Sequence, residues 1–107
     1  MASLDEEYNQ AINNQRDYLA RLQDAFNKHC DEITTNAQNK LKTIPETNPE
    51  TRQQVFEEQK KLLDEALAQL KTEIDTSTGK TRKKLEDIHT QREAEKIKQL
   101  ENLMTRF

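Results

Sequence analysis

The stretch TIPETNPE, residues 43–50, separates two long segments in which apolar residues recur at helical spacing. Pro45 and Pro49 each disfavour helical geometry in the residue before them, so a helix that reaches this stretch must end there. Asn48 is a common helix-capping residue, and Pro49 followed by Glu50 is typical of a first helical turn. The stretch therefore predicts a turn between two helices.

The segment before the turn predicts one long helix. Ser3, with Glu6 three residues later, forms a capping-box pattern at its start. Apolar side chains then follow every three or four residues, with Gln15 and His29 as polar interruptions. This stripe consists of Leu4, Tyr8, Ile12, Leu19, Leu22, Phe26, Ile33, Ala37, Leu41 and Ile44. We expect a helix over about residues 4–43, roughly 60 Å long at about 1.5 Å per residue.

The segment after the turn carries a second apolar stripe. It is interrupted between Ile74 and Leu85 by residues 75–84, which include no large apolar side chain and which we call the silent stretch. The stripe consists of Phe56, Leu63, Ala66, Leu67, Leu70, Ile74, Leu85, Ile88, Ile97, Leu100, Leu103, Met104 and Phe107. The silent stretch lies within EIDTSTGKTRKK, residues 73–84, and holds the only glycine of the chain, Gly79. Its poor helix formers together cost roughly 2–3 kcal/mol relative to alanine.

Two observations nevertheless favour one continuous or kinked helix over about residues 50–105. Ile74 and Leu85 are eleven residues apart, or about three helical turns, so the stripe stays in phase across the gap. A break near residues 76–80 would also leave acidic residues at a helix C-terminus and basic residues at a helix N-terminus, which opposes both helix dipoles. If the helix did break there, the chain would form a three-helix bundle instead of a hairpin.

Composition indicates an all-α chain with a small core. Charged residues make up 35% of the 107 residues, whereas Leu, Ile, Val and Phe together number 21. This profile is typical of long helices or a coiled coil, and so low an apolar content usually requires a partner subunit to complete the core. The sequence therefore predicts a single all-helical domain over residues 1–107, a long antiparallel helical hairpin with coiled-coil-like packing that forms a dimer.

Hairpin geometry leaves the end of the second helix without an intramolecular partner. A turn at residues 45–49 sets residue 4 opposite roughly residue 90, so the chain beyond that point overhangs. An apolar face left in water on this scale usually marks an interface, and a two-fold dimer lets each overhang cover the other. We predict binding to a second copy or to another helical protein. The contact residues predicted are Leu4, Tyr8, Ile12, Ile97, Leu100, Leu103, Met104 and Phe107.

A basic stretch suggests an alternative function, the binding of an anionic surface such as nucleic acid or acidic lipid. Its candidate residues are Lys80, Arg82, Lys83 and Lys84. Nucleic-acid-binding domains, however, are usually basic overall and carry aromatic residues or a known motif, whereas the net charge here is −3 and no aromatic residue is near. The apolar stripes are also narrow and lack Trp, which argues against a helix that lies on a membrane.

The sequence gives no indication of enzyme chemistry, a cofactor or a metal. Gly79-Lys80-Thr81 matches the end of a phosphate-binding loop, but Ile74 occupies the position where that loop needs its first glycine. Glu86 and His89 form a single Glu-x-x-His, where a di-metal bundle needs two copies and further carboxylates. No Ser, Cys or His stands in a nucleophile–base arrangement.

The predicted function is therefore that of a non-enzymatic helical protein-interaction module. Such a protein would be an adaptor, an assembly subunit or a small chaperone that acts through self-association and helix–helix packing. The start MASLDEEYNQ has neither the basic residues nor the apolar run of a signal peptide, and Cys30 is the only cysteine. Both features lead us to expect a cytoplasmic protein.

Overall fold

The computed structural model describes residues Ser3–Arg106 and forms a hairpin of two α-helices. Helix α1 spans Leu4–Lys42 and helix α2 spans Pro49–Arg106. The predicted all-α hairpin is confirmed, and each of the four predicted helix ends, 4, 43, 50 and 105, agrees with the structure to within one residue. The described residues contain no β-strand.

Helix α2 continues through the silent stretch, so the alternative with three helices is not the one that forms. Residues 76–80 are all helical, and Gly79 has no positive φ. A Cβ added at Gly79 would find no atom within 4 Å outside its own helix backbone, so no contact within the chain requires glycine there. The weak helix formers are thus accommodated in the interior of α2.

The two helix starts carry the predicted caps. The backbone N–H of Glu6 donates to Ser3 Oγ at 3.1 Å, and the backbone N–H of Thr51 donates to Asn48 Oδ1 at 3.4 Å. Each cap satisfies one of the N–H groups that a helix start leaves without a backbone acceptor. Local sequence patterns therefore fixed where both helices begin.

The hairpin divides into two compact units. The turn unit is Leu19–Ile74, and the terminal unit combines Met1–Tyr18 with Asp75–Phe107. Their buried apolar residues are Ile33, Val55 and Ala66 in the turn unit, and Ala11 and Ile88 in the terminal unit. Each unit therefore has a small core, limited to a narrow line of contact between its two helix segments.

Arg52 binds the end of helix α1 within the turn unit. Its guanidinium Nη1 donates to the carbonyl oxygens of Leu41 at 3.2 Å and Ile44 at 3.0 Å. The Leu41 carbonyl also accepts from the backbone N–H of Ile44 at 3.2 Å, so Arg52 adds a second, charged donor there. A cation at this place also complements the negative end of the helix dipole. One side chain from the first turn of α2 thus caps α1 and fixes the turn between them.

The core of the turn unit includes a buried glutamine. Gln59 is 7% exposed, and within the described residues its Oε1 has no hydrogen-bond partner. The buried stripe of α2 thus passes through Val55 and Gln59, whereas Phe56, which the sequence analysis assigned to it, is 61% exposed. That assignment was wrong because Val55 is eleven residues, about three helical turns, before buried Ala66, and Phe56 is displaced from that face by one residue.

Replacing Arg52 with methionine tests the cap, because methionine keeps an unbranched apolar stem but cannot donate. We expect the free energy of unfolding to fall by about 1–2 kcal/mol, since two half-buried carbonyls lose a charged donor. Urea denaturation followed by circular dichroism measures this change. Lys61→Met is the matched control, because Lys61 is an exposed cation on the same helix. Equal losses in the two variants would contradict the capping role.

Gln59→Met should instead stabilise the protein. The substitution removes a buried oxygen without a partner and buries an apolar side chain, so we expect a gain of about 1–2 kcal/mol in the same denaturation experiment. Gln54→Met is the control, because Gln54 is exposed on the same helix. A loss of stability at position 59 would show that the glutamine forms a hydrogen bond that the structure lacks.

Candidate interaction surface

Helix α2 ends in an exposed segment, residues 93–106, which we call the overhang. Every residue of the overhang is exposed, whereas Arg92, just before it, is half-buried. The Arg92 guanidinium forms an ion pair with Asp5 and lies 5.7 Å from the centre of the Tyr8 ring. Beyond Arg92, the residues Glu95, Lys96 and Gln99 still line a groove with the first turn of α1, so α1 reaches one edge of the overhang and the other side chains of the overhang face solvent.

The overhang presents a group of large apolar side chains to water. Their exposed fractions are 49% for Ile97, 62% for Leu100, 49% for Leu103 and 77% for Met104. Ile97, Leu100 and Leu103 follow one another at intervals of three, and Met104 is four positions after Leu100, so all four share one face of the helix. Single exposed apolar residues are ordinary on protein surfaces, but a contiguous group of this kind usually marks an interface. Phe107, the fifth residue predicted for this group, lies outside the described residues.

The three predicted contact residues of α1 belong to the terminal unit, and Leu4 lines a groove with Glu95, Lys96 and Gln99 of the overhang. Leu4 and Ile12 are half-buried, and Tyr8 is 39% exposed. Tyr8 lines an open groove of about 650 Å³. The groove is formed by Tyr8, Gln15, Thr78, Thr81, Arg82, Leu85, Glu86, His89 and Thr90. The structure therefore adds, beside Tyr8, a groove that was not predicted from the sequence.

Gln15 and a cluster of hydroxyl groups form a polar layer at this groove. Gln15 Oε1 accepts hydrogen bonds from Ser77 Oγ at 2.6 Å and Thr81 Oγ1 at 2.9 Å, and Gln15 Nε2 donates to Thr78 Oγ1 at 3.4 Å. The polar interruption of the α1 stripe thus meets the silent stretch of α2. The sequence contained the necessary signal, because a turn at residues 45–49 places residue 15 opposite about residue 79.

The four basic residues predicted as an anion site do not form a single cluster. All four are exposed. Lys80, Lys83 and Lys84 are spaced so that they share one helix face, whereas Arg82 lines the groove. Three lysines on an exposed helix face are also the ordinary solvated surface of a charged helix.

The described part of the chain shows no arrangement suited to metal binding. Within Ser3–Arg106 no three His, Cys, Asp or Glu side chains are grouped closely enough to hold a metal ion. Glu86 and His89 both line the groove of the terminal unit, whereas His29 lies in the turn unit, where it lines a smaller groove with Phe26 and Glu73. Neither described helix is long and apolar enough to span a membrane.

No protein-family model matches this chain, and comparisons with curated proteins and with solved structures gave no match. Function must therefore be inferred from the chain's own exposed groups. Among these, the overhang and the groove combine apolar surface with accessibility.

A double-mutant cycle tests the polar layer. Gln15→Ala and Ser77→Ala each remove one side of the 2.6 Å hydrogen bond, so their effects should not add. We expect a coupling energy of about 0.5–1.5 kcal/mol in the free energy of unfolding, the usual net value of one hydrogen bond. Pairing Asn14→Ala, at an exposed neighbouring position, with Ser77→Ala provides the control. Additive effects in both cycles would contradict the bond.

Proposed function

We propose that this protein is a non-enzymatic helical protein-interaction module that acts through self-association and helix–helix packing. An adaptor, an assembly subunit or a small chaperone would each use such a module. The observation that carries the proposal is the overhang, in which Ile97, Leu100, Leu103 and Met104 are exposed on one helix face. Covering this face with another helix gains roughly 25 cal/mol for each Å² of apolar surface removed from water.

The thin core of the terminal unit supports the same proposal. Ala11 and Ile88 are its buried apolar residues within the described chain, and Ala11 has a small side chain. A short chain that buries so little apolar surface is marginally stable by itself and gains from a partner. A two-fold dimer is the smallest assembly in which each overhang covers an apolar surface of the other copy.

The competing function is binding to nucleic acid or acidic lipid through the exposed lysines. It differs from helix–helix packing in how its affinity depends on salt. Contacts between Lys80, Lys83 and Lys84 and phosphates release counterions, so their affinity falls steeply as salt rises. Burial of apolar surface does not depend on counterion release. A salt series on any complex of this protein therefore separates the two modes of binding.

The double substitution Leu100→Lys/Leu103→Lys tests the overhang directly. We expect the wild-type protein to show twice the chain mass of 12.6 kDa in sedimentation equilibrium, and the variant to show the mass of a monomer. The variant should remain helical, because both positions are exposed and lysine is a good helix former.

Leu67→Lys is the matched control, because Leu67 is 56% exposed on the same helix but lies outside the overhang. It should leave the mass of the assembly unchanged. A wild-type chain that stays monomeric over the whole concentration range would contradict self-association, and a dimer that persists in the double variant would show that the overhang is not the interface.

A further inference from the structure

We propose that the groove of the terminal unit is the docking site for the overhang of a second copy, which runs antiparallel to it in one defined register. This inference rests on the proposed self-association. It adds the surface on which the overhang binds and the residues that meet there.

One continuous seam on α2 links the groove to the overhang. Its members follow one another at strictly alternating intervals of three and four residues, the repeat of helices that pack side by side in coiled coils. They are Gly79, Arg82, Glu86, His89, Glu93, Lys96, Leu100 and Leu103. All eight are exposed. Arg82, Glu86 and His89 line the groove, and the last four members belong to the overhang, so the groove and the overhang present the same helix face.

The seam is complementary to itself in charge when two copies run antiparallel. A two-fold axis beside Gln91 places residues at equal distances from Gln91 opposite each other. Glu86 then faces Lys96 of the second copy, and His89 faces Glu93 of the second copy. Each pair occurs twice because of the symmetry, and neither pair joins like charges.

The same register also matches apolar groups and side-chain sizes. Leu100 of one copy meets Arg82 in the groove of the other, and the aliphatic stem of Arg82 can pack against the leucine. Leu103 meets Gly79, the only glycine of the chain. Because the space around Gly79 is open in the single chain, the close approach of a second helix explains why a glycine is used there despite its cost of about 1 kcal/mol in a helix interior.

Neighbouring registers fit less well. Shifting the second copy by one heptad in one direction places Leu100 opposite Asp75, and shifting it in the other direction places Leu103 opposite Glu86. Each shift sets a carboxylate against a leucine that should be buried, which carries a desolvation cost. The register centred on Gln91 is therefore the one in which charge pairing and apolar burial agree.

A charge exchange between Glu86 and Lys96 tests this register. Glu86→Lys and Lys96→Glu each place like charges opposite each other twice per dimer, so each should raise the dissociation constant roughly ten-fold in sedimentation equilibrium. The double variant restores opposite charges and should return the constant to within about three-fold of wild type. Residues ten positions apart on one helix are not neighbours, so this recovery cannot arise within a single chain.

Asp87→Lys/Lys98→Glu is the matched control, because both residues are exposed on α2 but lie outside the seam. It should leave the dissociation constant unchanged. Gly79→Leu provides a second and independent variant. It should keep or raise the helicity of dilute protein, because leucine is the better helix former, while it weakens dimerisation by about ten-fold or more through a clash with Leu103 of the second copy.

The outcomes separate the two proposals. A wild-type chain that remains monomeric overturns both self-association and the docking site. A wild-type dimer that shows no recovery in the double variant, and no weakening by Gly79→Leu, overturns the docking site while self-association stands.

Discussion

A hairpin can pair the longer of its helices only as far as the shorter one reaches. Helix α1 has 39 residues and helix α2 has 58, and a short turn joins them. Arg52 fixes the turn by binding the carbonyl of Leu41 in the last turn of α1 and that of Ile44 just beyond it, so the difference in length has to appear at the other end of α2. The exposed overhang, and the interaction proposed for it, both follow from this inequality.

Helix α2 is longer than α1 only because it continues through its silent stretch without a break. A second turn there would have folded residues 80–106 back and given them partners within the chain. Its poor helix formers cost roughly 2–3 kcal/mol, but two separate helices would each have carried charges opposed to their dipoles. Ser77, Thr78 and Thr81 also gain hydrogen bonds to Gln15, at about 0.5–1.5 kcal/mol each. These terms are of similar size to the propensity cost, and together they offset it.

The sequence predicted the parts of the fold that depend on local patterns. The helix ends followed from Ser3, Asn48 and the two prolines, because a cap is formed by residues within one turn of each other. The polar layer around Gln15 was missed because its partners are more than sixty residues away, although the hairpin register could have located them. The Arg52 cap could not have been predicted, since it depends on how one long side chain is oriented in the turn.

The groove was missed for a related reason. A stripe of apolar residues indicates which face of a helix is buried, but a groove is formed by the residues beside that face, and their positions depend on how the two helices pack. Val55 and Phe56 show how sensitive this is, because a difference of one residue separates a buried side chain from one that is 61% exposed. Once the packing is known, the exposed residues from Arg82 to Leu103 can be recognised by their spacing as members of the seam on α2.

The composition of that seam determines what kind of interaction it can support. Its centre consists of Glu86, His89, Glu93 and Lys96, and its large apolar groups lie at one end. Charged pairs between helices contribute more to register and partner choice than to affinity, whereas the apolar anchors supply most of the binding energy. Self-association through such a seam should be specific but modest in strength. Another helix with apolar anchors and complementary charges would compete for the same groove, so self-pairing and partner binding would be alternative uses of one surface.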